Sequence, residues 1–211
     1  MATRFKRTRL VDRAVQNRDA RIYVIATEGR RTEPAYFRGL QEGDLIDRTR
    51  VKIVVEPTLD DGRSAPNHVL ARLEGFAAQH NLLGEDELWL VSDLDRWPEP
   101  MLSRVAQQCH QKGYHVALSN PCFELWLLLH HTDRVEGVTT PREAEEALRR
   151  AFGGYNKSNL DTSFLTEDIL RTAVERARTL DTSPQDRWPQ TTGTRVYLLV
   201  ENLLDHRRAQ T

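Results

Sequence analysis

The sequence predicts an α/β fold, a mostly parallel sheet flanked by helices, with a helical extension on its C-terminal side. Three observations predict it. Short apolar runs recur through the first part of the chain, and each is followed by a turn signal or a stretch of helical period. Two of the runs end in acidic residues. After Asn120 the pattern changes to helix signals alone.

The first run, residues 21–26 (RIYVIA), ends at Thr27, Glu28 and Gly29 and reads as a buried strand. Thr32 is placed to cap a helix running through Glu33, Pro34, Ala35, Tyr36 and Phe37, with Pro34 in a first turn, where its missing N–H costs nothing. Residues 51–55 (VKIVV) form a second strand, stopped by Pro57, and residues 60–64 a turn-rich loop. Residues 66–80 then bring Val69, Leu70, Leu73, Phe76 and Ala77 to one helical face. A third strand, residues 87–91 (ELWLV), delivers Ser92, Asp93, Leu94 and Asp95 at its end. Residues 101–112 are helical, with Gly113 where a left-handed terminal residue is expected, and residues 114–119 (YHVALS) are a fourth strand. Strands alternating with helices call for parallel pairing and helices on both faces.

Beyond Asn120, residues 123–131 are almost wholly apolar and read as a buried helix. Thr140, Pro141 and Glu143 form a capping box with proline at the first helical position, opening a helix that ends near Gly153 and Gly154. Residues 166–181 and 196–208 are further helices, joined by a polar, proline-rich connector, 183–193. The expected layout is a basic arm (1–20), an α/β core (21–133) and a helical part (134–211) packed on the core.

With 211 residues, 39% apolar and 29% charged, the chain suits one globular domain with a small extension. No segment approaches the roughly 18 apolar residues of a membrane span. The N-terminal segment lacks the apolar centre of a secretory signal, so a cytoplasmic location without membrane attachment is expected. The two cysteines, Cys109 and Cys122, have no metal-ligand spacing. The net charge of −1 conceals a basic run in which Arg4, Lys6, Arg7, Arg9, Arg13 and Arg18 face the single acid Asp12. Such a run, Arg7 and Arg9 included, can follow a phosphate backbone or simply be a solvated terminus.

Ligands of open α/β sheets sit beyond the carboxyl ends of the strands. Glu28 lies just past the first strand, and Asp93 and Asp95 follow the third. Side chains two apart on a strand share a face, so Asp-x-Asp can turn both carboxylates the same way. Oxygen ligands alone favour a hard cation, Mg2+ or Mn2+, over zinc. A cation held there can polarise a phosphate and activate a water. The plainer reading makes Asp93 and Asp95 helix caps and Glu28 a loop charge.

Glu after the first strand with Asp-x-Asp after the third resembles the Toprim domain of primases, topoisomerases and overcoming-lysogenization-defect nucleases, a Rossmann-like fold. The resemblance narrows further along. Ala26, Thr27, Glu28 and Gly29 with residues 32–37 (TEPAYF), Asp93 and Asp95, residues 119–130 (SNPCFELWLLLH), and residues 155–158 (YNKS) resemble the RloB-like family from about residue 20 to residue 203. That resemblance implies a Toprim-type nuclease linked to restriction loci and phage defence, often encoded beside an SMC/ABC-like ATPase. It also implies Glu28, Asp93 and Asp95 as the metal-site acids, and leaves DNA or RNA open as the substrate.

Further candidates lie in the same blocks. Glu124 falls in an apolar helix, where an unpaired carboxylate is costly; it either joins the site or profits from the first helical turn, with Asn120 as cap. Lys157, in a loop after Gly153 and Gly154, can stabilise charge on a scissile phosphate. Arg30 and Arg31, one loop from Glu28, can grip phosphate oxygens. His110, His115, His130 and His131 form no zinc set, and Trp89 and Trp126 belong to core-facing runs. A phosphatase or nucleotide-sugar transferase using Asp-x-Asp is a rival, weakened by the motif's place after the third strand. No Walker-type loop is present, so a regulatory subunit active only with a partner ATPase is a second alternative.

Overall fold

The computed structural model describes residues 20–43, 45–58 and 64–208. The basic arm, with Arg7 and Arg9, lies outside the described residues, as does most of the loop at 60–64. Among the described residues the order is β1 (Arg21–Thr27), α1 (Thr32–Glu42), β2 (Val51–Glu56), α2 (Pro66–Gln79), β3 (Glu87–Asp93), α3 (Glu99–Lys112), β4 (His115–Asn120), α4 (Phe123–Leu129), α5 (Pro141–Phe152), α6 (Glu167–Leu180), β5 (Gly193–Thr194) and α7 (Val196–Arg208). The fold is α/β and Rossmann-like, with one sheet in the order β2-β1-β3-β4-β5. The first four strands pair in parallel, and β5 runs antiparallel to β4.

Alternation along β1 builds two cores. Ile22, Val24 and Ala26 face α2 and α3, where Val69, Leu70, Leu73 and Val105 close over them. Tyr23 and Ile25 face the other way, onto a larger cluster with Trp89, Phe37 and every apolar residue of α4. Burial of the central strands β1 and β3 on both faces explains why they read as unbroken apolar runs. Trp89 and Trp126 are core side chains.

The helices end where local chemistry requires. Gly113, at φ 70, closes α3 in the left-handed region that side chains rarely adopt. Thr140 Oγ1 accepts the Glu143 N–H at 3.3 Å while the Glu143 carboxylate accepts the Thr140 N–H at 2.9 Å, the reciprocal capping box.

The segment after residue 133 is integral to this core. Leu148, Leu170, Val174, Leu199 and Leu203 belong to the cluster that contains Tyr23 and Trp126, and β5 extends the sheet itself. The connector expected at 183–193 therefore ends in a strand too short to carry a period. Buried Arg195 fixes this region: its Nε meets Asp181 Oδ2 at 3.0 Å, and its Nη2 donates to the Ser183 carbonyl at 2.9 Å.

Candidate active site

Strand order locates the site. β1 has β2 on one side and β3 on the other, so successive crossovers leave β1 in opposite directions and open a crevice at its carboxyl end. Thr27 pairs with Val91, and the Glu28 N–H continues the ladder to the Val91 carbonyl at 2.9 Å. Glu28 and Asp93 thus come together at one sheet edge. A cavity of about 520 Å³ opens there, lined by residues that include Glu28, Glu33, Asp93, Glu124, Lys157 and Arg96.

Glu28 is the most tightly held. Its Oε2 accepts from Ser92 Oγ at 2.6 Å, Trp97 Nε1 at 3.0 Å and the Asp93 N–H at 3.2 Å. Its Oε1 is buried with no hydrogen-bond partner, and Arg96 Nη1 stands 4.0 Å away. A buried charged oxygen left without a donor is expensive.

Asp93 is the last residue of β3, and its Oδ1 accepts the N–H of Phe123, the first residue of α4, at 2.9 Å. It therefore does cap a helix, though α4 rather than the helix that follows it in sequence. Burial, reinforced by the nearby charges of Glu33, Glu28, Glu124 and Asp95, pushes its carboxyl well above the usual range. Asp95 is placed differently. The strand stops at Asp93, so the shared-face argument does not reach Asp95, which is exposed in the turn and is not among the cavity residues. Partial burial and the charge of Glu28 raise its pKa.

Glu124 and Lys157 join the site as a pair. Lys157 Nζ lies 2.8 Å from Glu124 Oε1, which also accepts from Tyr155 Oη at 3.2 Å. Burial alone would raise the Glu124 carboxyl, but the Lys157 charge and hydrogen bond outweigh it and hold it below its ordinary value. Asn120 does not cap α4; its amide donates to the Pro189 carbonyl at 3.2 Å, and Cys122 holds the cap position. Nor does Thr32 cap α1. Its hydroxyl donates to the Lys157 carbonyl at 3.1 Å and lies 3.2 Å from Tyr155 Oη, tying the lysine loop to the start of α1. Arg31 Nη1 donates to Ser158 Oγ at 2.5 Å, and both Arg30 and Arg31 are cavity residues.

Glu33 is the site residue that sequence reading missed. It is buried in the first turn of α1, and its Oε1 accepts the Gly29 N–H at 3.0 Å. Burial and the charge of Glu124 push its carboxyl up to about 7. A Cβ at position 29 would lie 2.0 Å from Glu33 Oε2, so glycine there is what admits the carboxylate. The available signal was that spacing, a glycine followed four residues later by an acid at a helix start.

A family model of RloB-like proteins matches residues 23–203. The chain belongs to the RloB-like family. Comparison with curated proteins and with solved structures finds no match. Among the described residues of this RloB-like chain, no three His, Cys, Asp or Glu side chains are arranged as a ready ligand group for a metal ion, and no helix is long and apolar enough to cross a membrane. What the cavity wall does offer is an oxygen-only, acid-rich donor set with one buried oxygen unpartnered. That chemistry fits a hard divalent cation, which would relieve both the unpaired Glu28 oxygen and the burial and repulsion that raise Asp93.

Proposed function

We propose that this RloB-like chain is a Mg2+- or Mn2+-dependent nuclease that hydrolyses DNA or RNA phosphodiesters, and that it serves in phage defence in the cytoplasm. The observation that carries the reading is the pairing of Glu28, with its unpartnered Oε1, and Asp93 at the switch-point crevice. Glu28 and Asp93 would hold the cation, with Asp95 reaching it only by reorienting from its exposed turn. When bound, such a cation supplies charge neutralisation at a phosphate oxygen and lowers the pKa of water.

The chain's own residues would do the rest. Arg30, Arg31 and Arg96 on the cavity wall would hold the phosphodiester, since guanidinium matches paired phosphate oxygens. Hydrolysis adds water across a P–O bond: the attacking oxygen loses a proton and the departing alkoxide gains one. Glu33, with its carboxyl near 7, is matched to accept or return such a proton at neutral pH. The Lys157 ammonium would stabilise negative charge developing on the phosphoryl oxygens. Work driven by ATP would fall to a partner ATPase of the SMC/ABC-like kind, because this sequence has no Walker-type loop.

The test is cleavage of end-labelled single- and double-stranded DNA and RNA with Mg2+ or Mn2+, against EDTA, with and without the ATPase encoded nearby. The expected result is cation-dependent cleavage that Glu28→Gln reduces at least about 100-fold, the scale of losing a group that acts in the transition state. Cleavage that is unaffected by EDTA and by Glu28→Gln would overturn the proposal.

A further inference from the structure

The acidic cavity has two halves, compensated in different ways. In one half Glu28 is only 4% exposed, its Oε1 has no hydrogen-bond donor and only the exposed Arg96 Nη1 at 4.0 Å, and Asp93 beside it receives the Phe123 N–H. In the other half the Glu124 carboxylate is already met by a cation, Lys157 Nζ at 2.8 Å, and by Tyr155 Oη at 3.2 Å.

The backbone that carries that ammonium is held in place by the fold. The Lys157 carbonyl accepts the Thr32 hydroxyl at 3.1 Å, and the neighbouring Ser158 accepts from Arg31, so the loop is pinned to the start of α1 from both residues. Its charge also serves more than one acid. Burial would lower the Lys157 pKa, yet the fields of Glu124, Glu33 and Asp93 more than offset this and raise it. Two-cation phosphodiester sites use the second ion to balance carboxylates and steady the oxygens in flight. Here a side-chain ammonium already lies 2.8 Å from one of the acids that such an ion would need and within the fields of two more.

We infer that Lys157 Nζ fills the place of a second divalent cation, so that the chain binds one divalent ion, in the half formed by Glu28 and Asp93. This rests on the metal-dependent reading above and adds to it a stoichiometry and a reason for the lysine. A cation entering beside Glu124 would have to displace the ammonium or sit against it, and like charges at that range repel strongly.

The experiment counts Mn2+ bound per full-length chain by electron paramagnetic resonance of the free ion, at pH 8 and without nucleic acid. Wild type is expected to bind one. Lys157→Met removes the charge and is expected to bind two, the second within about tenfold of the first in affinity. Because the Lys157 side chain is 61% exposed, its truncation leaves the core intact. Lys157→Arg keeps the charge and should still bind one, while adding Glu124→Gln to Lys157→Met should return the count to one. Two equivalent ions in wild type would overturn this inference and leave the metal reading standing. One ion in Lys157→Met would overturn it as well. No bound Mn2+ in wild type would overturn both.

Discussion

Glu33→Gln gives the sharpest view of the strain stored in the acidic cavity. Glu33 ionises near 7 in the folded chain and at 4.5 when unperturbed, so between those pH values the folded state holds a proton that the unfolded state has lost. Its contribution to stability is therefore fully present below 4.5 and disappears as pH rises through 7. At roughly 1.4 kcal/mol per pH unit, the interval corresponds to about 3 kcal/mol. Glutamine keeps an oxygen for the Gly29 N–H but cannot ionise. Urea unfolding in EDTA at pH 5 and at pH 8.5 measures the effect. Wild type should lose stability between the two, and Glu33→Gln should lose roughly 2.5 kcal/mol less, because pH 5 already lies above 4.5, with part of the remaining slope owed to Asp93. If the difference between the two proteins changes by less than about 0.5 kcal/mol over that range, Glu33 does not carry a raised pKa and the argument for its role as proton carrier fails.

Three further outcomes follow from the same geometry. Gly29→Ala places a Cβ against the Glu33 carboxylate and should expel it, so the variant should show the flattened pH dependence of Glu33→Gln together with reduced cleavage. Arg195→Met leaves the Asp181 carboxylate buried without its cation, and should lower unfolding free energy by about 3–5 kcal/mol without altering Mn2+ stoichiometry. Asp95→Asn should impair cleavage much less than Asp93→Asn, because Asp95 is exposed and off the cavity wall; equal losses measured in parallel would show that Asp95 swings inward when the cation binds.

How much of this was legible in the sequence depends on what kind of signal each feature leaves. The central strands β1 and β3 were legible because burial on both faces demands unbroken apolar runs, and α5 because a capping box is a local device. β5 left no trace, since two residues, Gly193 and Thr194, cannot show a period and pair only through distant β4. Glu28 and Asp93 were legible as acids at strand ends. Asp95 was overread, because the strand ends one step earlier than the alternation argument needs. Thr32 was misassigned for a related reason: its hydroxyl suits a cap, and only the distant Lys157 and Tyr155 reveal its actual partners. Glu33 was overlooked because an acid in a first helical turn usually faces water and complements the helix dipole. It is buried where the adjacent Thr32 meets the lysine loop more than a hundred residues later, which no local pattern records. The Glu124–Lys157 contact has the same character. Both residues stood out singly, but their pairing is a product of α4 and the segment after α5 folding into one core.

Asp93 and Glu28 are proposed to form a cation-dependent phosphodiester-cleaving centre. Single-turnover cleavage of a labelled oligonucleotide by wild type and by Asp93→Asn, both saturated with Mg2+, with and without the proposed partner ATPase, decides this. A loss of at least about 100-fold is expected in Asp93→Asn, with the variant folded and no less stable at pH 8 because a buried and repelled charge has been removed. Undiminished cleavage by Asp93→Asn would contradict it.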